Sequence, residues 1–410
     1  MTAAARHLLP GPRAWLGHRR PLGLPPRRRV LIALVILAGA GIISSLLSTV
    51  AYLRLPPPTG EFGVGREAAV WTDSSRGEAH TPTPGDVRQV RVVAWYPTDG
   101  PAATGGGSYL RDVEKIADAL VGSGELGPVA VAALRAAGSN VVDGAPLSAS
   151  AVRWPVVILS PGNATNVEFY GTLAEELASH GYAVVGVDHP YQVTAVALLD
   201  GSVAVYEGDD PAPGQLTGPD GRAAEKIAER VADIRFVLDR LENGADGLAG
   251  LDGRALDLEH IAVVGHSNGG VAAAELCATD PRVDACLNID GMLAGGPFSA
   301  ATPAAPSKPF MFITKETELH PALRALFEAG GDQTYRVVVP AASHGAFADG
   351  PRFVPRMLPL DGDADRTLRV TRGFAVAFLD HVLIGAPQTV LGKVDAPTDV
   401  LLEVYPLTRE

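Results

Sequence analysis

The chain has 410 residues, 47% of them hydrophobic, and a net charge of -12, enough length for one large or two medium domains with a sizeable core. Residues 1–60 hold eight arginines and no acidic residue, leaving about -20 on the remainder. A body that acidic excludes nucleic acid as an expected partner, because neutralising phosphates needs clustered Lys and Arg.

An Arg-rich segment, 1–29, precedes 24 uncharged residues, Val30–Leu53. As a helix this stretch reaches about 36 Å, enough to cross a hydrocarbon core with some tilt. Seven arginines before it and one after it predict a single-pass anchor in the cell membrane, with the body extracytoplasmic. A cleaved signal peptide, giving a secreted protein, is the alternative. Residues 54–63, with Pro56-Pro57-Pro58, read as a linker.

The body, 64–385, begins β-rich at Ala68–Trp71 and Val87–Tyr96. Residues 108–138 read as helical, with apolar positions at Ile116, Leu120, Val131 and Leu134. From Val156 short apolar runs alternate with helical stretches: strands at 156–159, 182–187, 261–264, 283–289, 309–313 and 335–339, and helices near 169–180, 222–241, 272–278 and 371–383. A hairpin is expected at 193–207, turning at Asp200-Gly201. This alternation predicts an α/β class, with a mainly parallel sheet covered by helices on both faces. Residues 108–150 and 191–222 interrupt it and are candidate cap elements, and 386–410 reads as a C-terminal extension. Cys277 and Cys286 are expected as two buried thiols, a bridge between them being the other possibility.

Gly265-His266-Ser267-Asn268-Gly269 joins an apolar strand to a helix of small residues. Such a turn lifts a serine hydroxyl above the sheet, which makes Ser267 the candidate nucleophile. A serine hydroxyl needs a base, and the base needs an orienting acid. Of the histidines after Ser267, His344 lies in a loop beyond a late strand, whereas His320 precedes Pro321 and His381 falls within a helix. Asp290 ends the strand after the nucleophile helix, on the ligand-facing edge of such sheets. Glu316 or Glu318 is the substitute, and Asp284 opens the strand at the wrong edge. Backbone N–H groups of Asn268 and of Asn163, in Ser160-Pro161-Gly162-Asn163, are the candidate oxyanion hole. Asn163-Ala164-Thr165 also matches a glycosylation sequon, but a sugar there would block the site. Metal-binding, P-loop and dinucleotide motifs are missing, so neither cofactor nor metal is expected, and the oligomeric state stays open.

Further motifs carry a resemblance: Val64-Gly65, Thr72-Asp73 with Arg76, Trp95-Tyr96-Pro97, Asp188-His189-Pro190, Arg230 with Asp233, Phe236 with Asp239, and Ser343-His344 with Phe347 and Asp349. Over roughly 60–385 the chain resembles the platelet-activating-factor acetylhydrolase-like family of α/β-hydrolases. The resemblance implies the α/β-hydrolase fold, metal-free hydrolysis of short-chain or lipid esters, and a triad on Ser267, Asp290 and His344. Where that family commonly has Ser-His-Gly, this chain has Ser160-Pro161-Gly162, as polyester hydrolases and cutinase-like lipases do; Leu177–Gly181 is also similar to theirs. An acyltransferase or a non-catalytic binding protein on the same fold are the remaining alternatives.

Overall fold

The apolar runs fold in chain order into β1 (Gly63–Gly77), β2 (Val87–Thr98), β3 (Gly107–Ser108), α1 (Val113–Gly122), α2 (Pro128–Ala136), β4 (Gly138–Ser139) and β5 (Val141–Asp143). Then come β6 (Trp154–Ser160), α3 (Gly171–Ser179), β7 (Ala183–Asp188), β8 (Ala195–Ala197), β9 (Val203–Val205), α4 (Arg222–Glu242), β10 (Leu256–His266) and α5 (Asn268–Thr279). The chain continues through β11 (Ala285–Ile289), β12 (Phe310–Thr314), α6 (Pro321–Glu328), β13 (Thr334–Val338), α7 (Ala364–Leu383) and β14 (Leu401–Tyr405). This computed structural model describes residues 54–100, 106–122, 127–208, 222–248, 251, 255–291, 307–350 and 364–405. The segments 1–29 and 30–53 lie outside the described residues, among which no helix is long and apolar enough to cross a membrane.

Among the described residues, ten strands form one sheet in the order β14-β13-β12-β11-β10-β6-β7-β2-β1-β5. The run from β13 to β7 is parallel throughout. Strands buried on both faces need apolar side chains at every position, and 156–159 and 261–264 are buried along their whole length. One face packs against α4, whose Ile227, Val231, Ile234, Leu238 and Leu241 recur at helical spacing, together with Val271 and Leu276 of α5. The other face is covered by Leu173 and Leu177 of α3 and by Phe374 and Phe378 of α7. Each such side chain, fully buried, stabilises the fold by about 1.5–3 kcal/mol.

Details of the chain ends and of the cysteines differ from the sequence reading. Residues 386–405 are not a mere extension, because β14 pairs antiparallel with β13, and Tyr405 is buried against Phe327. Of its five residues only Tyr405 is buried, so the apolar signal of a strand is weak there. The linker 54–63 is docked: Leu55 is buried, Thr59 hydrogen-bonds Glu176 and the Phe62 N–H reaches Ser179 O. Cys277 at the end of α5 and Cys286 in β11 form a disulfide, with Cα atoms 6.0 Å apart, rather than two thiols; α5 packs directly on β11 and brings them within bonding range.

The first candidate cap region divides. Within 108–150, β5 joins the edge of the main sheet beside β1, while α1 and α2 stand apart from it. Ile116, Leu120 and Val131 of that helix pair form a small cluster with Ala195 of the β8–β9 hairpin. That hairpin turns where expected, with Leu198 N–H on Ser202 O.

Candidate active site

Ser267 sits between β10 and α5 with φ 53° and ψ -123°, a conformation that is strained for any residue with a side chain. The two motif glycines make room for it. A Cβ on Gly265 would lie 2.1 Å from Gly269 O, and one on Gly269 would lie 2.1 Å from Ser160 O. The strained turn is tied to β11 by Ser267 N–H on Ile289 O at 2.9 Å.

His344 opens a short turn, His344–Phe347, that follows β13. Its Nε2 lies 3.0 Å from Ser267 Oγ, and its Nδ1 lies 2.7 Å from Asp290 Oδ2. Asp290, just beyond β11, has φ 49° and donates its N–H to Ile313 O at 2.7 Å. Its other oxygen accepts Thr314 Oγ1–H at 3.0 Å and Lys315 N–H at 3.2 Å. Burial pushes this carboxyl up, but the hydrogen bond and charge of His344, with those two donors, outweigh it and hold the group below the usual carboxylate range. Asp290 is buried while the His344 side chain is half exposed, so the imidazole faces solvent and the carboxylate behind it does not. Three of the rival side chains bond elsewhere: His381 Nδ1 pairs with Ala386 O, Glu316 pairs with Lys315, and Asp284 holds Ile261 N–H.

The loop 160–163 leaves β6 beside β10 and runs directly against the serine. A Cβ on Gly162 would lie 3.3 Å from Ser267 Cβ. Gly162 N–H donates to Tyr170 Oη at 3.0 Å, and Ala164 N–H donates to Gln192 O at 2.9 Å. Asn163, the candidate oxyanion donor, stands between them, and Asn268 begins α5 immediately after Ser267.

Sequence reasoning gave Tyr170 and His266 no role. Tyr170 Oη is 2.7 Å from His266 Nδ1, and His266 Nε2 is 3.1 Å from His344 O. With Gly162 N–H donating to Tyr170, the hydroxyl donates to Nδ1 and Nε2–H donates to the carbonyl. A chain of hydrogen bonds thus joins the loop 160–163 to the backbone of His344, and it requires a neutral His266. Burial pushes this imidazole down to about 3, with the charge of His344 acting in the same direction. His266 is the variable position of its motif, and Tyr170 follows no pattern, so neither carried a signal. Asp349 has a related part: its N–H donates to Phe169 O and its Oδ2 accepts Thr172 N–H in the first turn of α3, which anchors the segment after His344.

Buried histidines set an acid limit on stability. Burial lowers His189 to about 4 and His266 to about 3, while it raises Glu175 to about 8. His80, between Glu207 and Glu229, is raised to about 9 and keeps its proton throughout. Near pH 6 the proton held by the folded Glu175 balances those the unfolded histidines take up. Towards pH 5 the unfolded histidines hold two protons that folded His189 and His266 refuse, and the net slope approaches a loss of about 1.4 kcal/mol per pH unit on acidification. Urea unfolding at pH 6.0, 5.5 and 5.0 is expected to show midpoints that fall increasingly steeply, and constant midpoints would contradict this assignment.

Comparison with known proteins agrees with the architecture. The family model for platelet-activating factor acetylhydrolase, isoform II, matches residues 53–202, a span that holds β1 to β7 and the loop 160–163 but not Ser267. A probable 1-alkyl-2-acetylglycerophosphocholine esterase of Arthroderma benhamiae is 26% identical over 261 residues, 59% of each chain. Hydrolase ffsE of Aspergillus flavipes is 33% identical over 136 residues, 33% of this chain and 25% of that one. The chain thus spans about three fifths and one quarter of the length of these curated relatives. Among solved structures, the ferulic acid esterase from Streptomyces cinnamoneus matches with a TM-score of 0.66 and 28% identity, covering 85% of this chain and 98% of that one. Fold and motifs together make the chain an α/β-hydrolase similar to the platelet-activating factor acetylhydrolase, isoform II, family.

Proposed function

We propose that the protein is a serine ester hydrolase working through an acyl-enzyme on short-chain or lipid esters. The observation that carries the reading is the relay from Ser267 Oγ to His344 at 3.0 Å and from His344 to Asp290 at 2.7 Å, on a strained turn open to solvent. His344 Nε2 takes the Ser267 proton as Oγ attacks the ester carbonyl. N–H groups of Asn163 and Asn268 stabilise the oxyanion of the tetrahedral intermediate. The intermediate collapses, and the leaving alcohol takes the proton from His344. Water then gives a proton to His344 and attacks the acyl carbon, and the departing Ser267 Oγ recovers that proton as the acid leaves.

The esterase of Arthroderma benhamiae is named for an acetyl ester of an ether phospholipid, which favours short acyl groups here. A second reading, an aromatic or polymeric ester, is favoured by the ferulic acid esterase likeness and by Ser160-Pro161-Gly162. Initial rates on p-nitrophenyl acetate, butyrate and octanoate, a 2-acetyl ether phospholipid, methyl ferulate and a polyester film separate the two. Acetyl esters are expected to give the highest kcat/KM. Preference for methyl ferulate or the film would favour the second reading, and no Ser267-dependent hydrolysis of any of them would sink both.

Location belongs to the same proposal. The arginines before 30–53 support a cell-membrane anchor with the catalytic domain outside, and the Cys277–Cys286 bridge suits an oxidising compartment. Carbonate-resistant membrane association with protease access from outside is expected, whereas release of a shortened soluble form would favour signal cleavage.

A further inference from the structure

Two side chains one turn apart on α4, Arg230 and Asp233, reach the loop that flanks the nucleophile. Both are fully buried. Arg230 Nη1 donates to Pro161 O at 2.7 Å, and Nη2 donates to Asn163 Oδ1 at 3.0 Å and Gly162 O at 3.4 Å. Its Nε donates to Gln192 Oε1 at 2.8 Å. These four acceptors are neutral oxygens, and three belong to successive residues of the oxyanion loop. Asp233 holds the start of the same loop through an intermediate: His189 Nδ1 lies 2.9 Å from Asp233 Oδ2, and His189 Nε2 lies 3.0 Å from Ser160 Oγ. This buried Ser160–His189–Asp233 series has the order of the reactive one, but all three are 0% exposed. Sealed from water and substrate, it braces the loop from below.

We infer that Arg230 is a positioning residue for the oxyanion hole, its guanidinium fork fixing the path of Pro161–Asn163 so that the loop's N–H faces the oxygen developing on the substrate. The inference rests on the ester-hydrolase reading above. A planar fork with five donors can hold several carbonyls at fixed angles, which the single ammonium of lysine cannot. Loss of the fork leaves Ser267, His344 and Asp290 untouched, since none of them bonds to Arg230. The effect should therefore fall on stabilisation of the tetrahedral oxyanion rather than on substrate affinity.

The test compares full-length wild type, Ser267→Ala, Arg230→Ala and Arg230→Lys on p-nitrophenyl acetate. Active sites are counted by fluorophosphonate labelling taken to completion, so that misfolded protein does not enter kcat. In Arg230→Ala, kcat per labelled site is expected to fall about 10²-fold, the scale of losing one oxyanion donor, with KM within about threefold. Millimolar guanidinium should restore part of the rate. Affinity for a trifluoromethyl ketone, which forms a hemiketal oxyanion on serine, should weaken in step with kcat/KM. If the alanine variant does not fold, Arg230→Lys carries the same expectations with a smaller loss. Unchanged kcat per labelled site, or a loss confined to KM, in variants of an enzyme whose activity depends on Ser267 would overturn the inference alone. Wild-type hydrolysis indifferent to Ser267→Ala would overturn the ester-hydrolase reading, and this inference with it.

Discussion

Ser267→Ala is expected to lower kcat on an activated ester by on the order of 10⁶-fold, the scale seen when the nucleophile of a Ser-His-acid triad is removed. The fold should survive the change. Alanine keeps the backbone at φ 53°, makes no new contact, and loses only the hydrogen bond from Oγ to the half-exposed His344. Surface-facing truncations of this kind usually stay within about 0.5 kcal/mol. A thermal midpoint close to wild type, together with the lost rate, separates a missing nucleophile from a damaged protein. Stopped-time assays on p-nitrophenyl acetate with both proteins check it. An alanine variant that kept most of the wild-type rate would place the reacting group elsewhere.

Asp290→Asn carries the second largest effect, and its direction follows from hydrogen-bond geometry. Asp290 Oδ1 is surrounded by donors, Thr314 Oγ1–H and Lys315 N–H. In the asparagine variant that position retains the carbonyl oxygen, so the amide NH₂ turns toward His344 Nδ1. An N–H facing Nδ1 forces that nitrogen to accept, and the ring proton moves to Nε2, where the Ser267 proton must be received. The base is then present in the wrong tautomer, and kcat near neutral pH is expected to fall about 10⁴-fold. KM should change little, because Asp290 is buried behind the imidazole. Steady-state kinetics at pH 7.5 with active-site titration measure the two effects separately; a loss under tenfold would mean that Asp290 does not set the tautomer.

Much of this is legible in the amino-acid sequence because the chemistry depends on local, patterned residues. The central parallel strands carry unbroken apolar runs at 156–159 and 261–264, α4 repeats its buried residues at helical spacing, and a serine elbow needs glycine on both sides. Strands β5 and β14 were missed because they are short edge strands with one buried residue each. The docked linker was missed because prolines suggest an extended path but say nothing of Glu176, more than a hundred residues away. The supports of the site are harder still. Tyr170, His189, Arg230 and Asp349 act through hydrogen bonds between segments distant in sequence, and pattern reading has no access to such pairs. The disulfide is an intermediate case: nine positions separate Cys277 from Cys286, and only the packing of α5 on β11 decides whether the sulfurs meet.

The central claim is that Ser267 is a nucleophile activated by His344, and covalent labelling tests it without reference to any substrate. The wild-type protein, treated with a fluorophosphonate at neutral pH and digested, is expected to give one phosphonyl adduct per chain, on the peptide that contains Ser267. Ser267→Ala should give no adduct there, and His344→Ala should label more slowly by several orders of magnitude, since the hydroxyl has lost its base. Labelling of another residue in the wild type, or equal labelling rates with and without His344, would contradict the account.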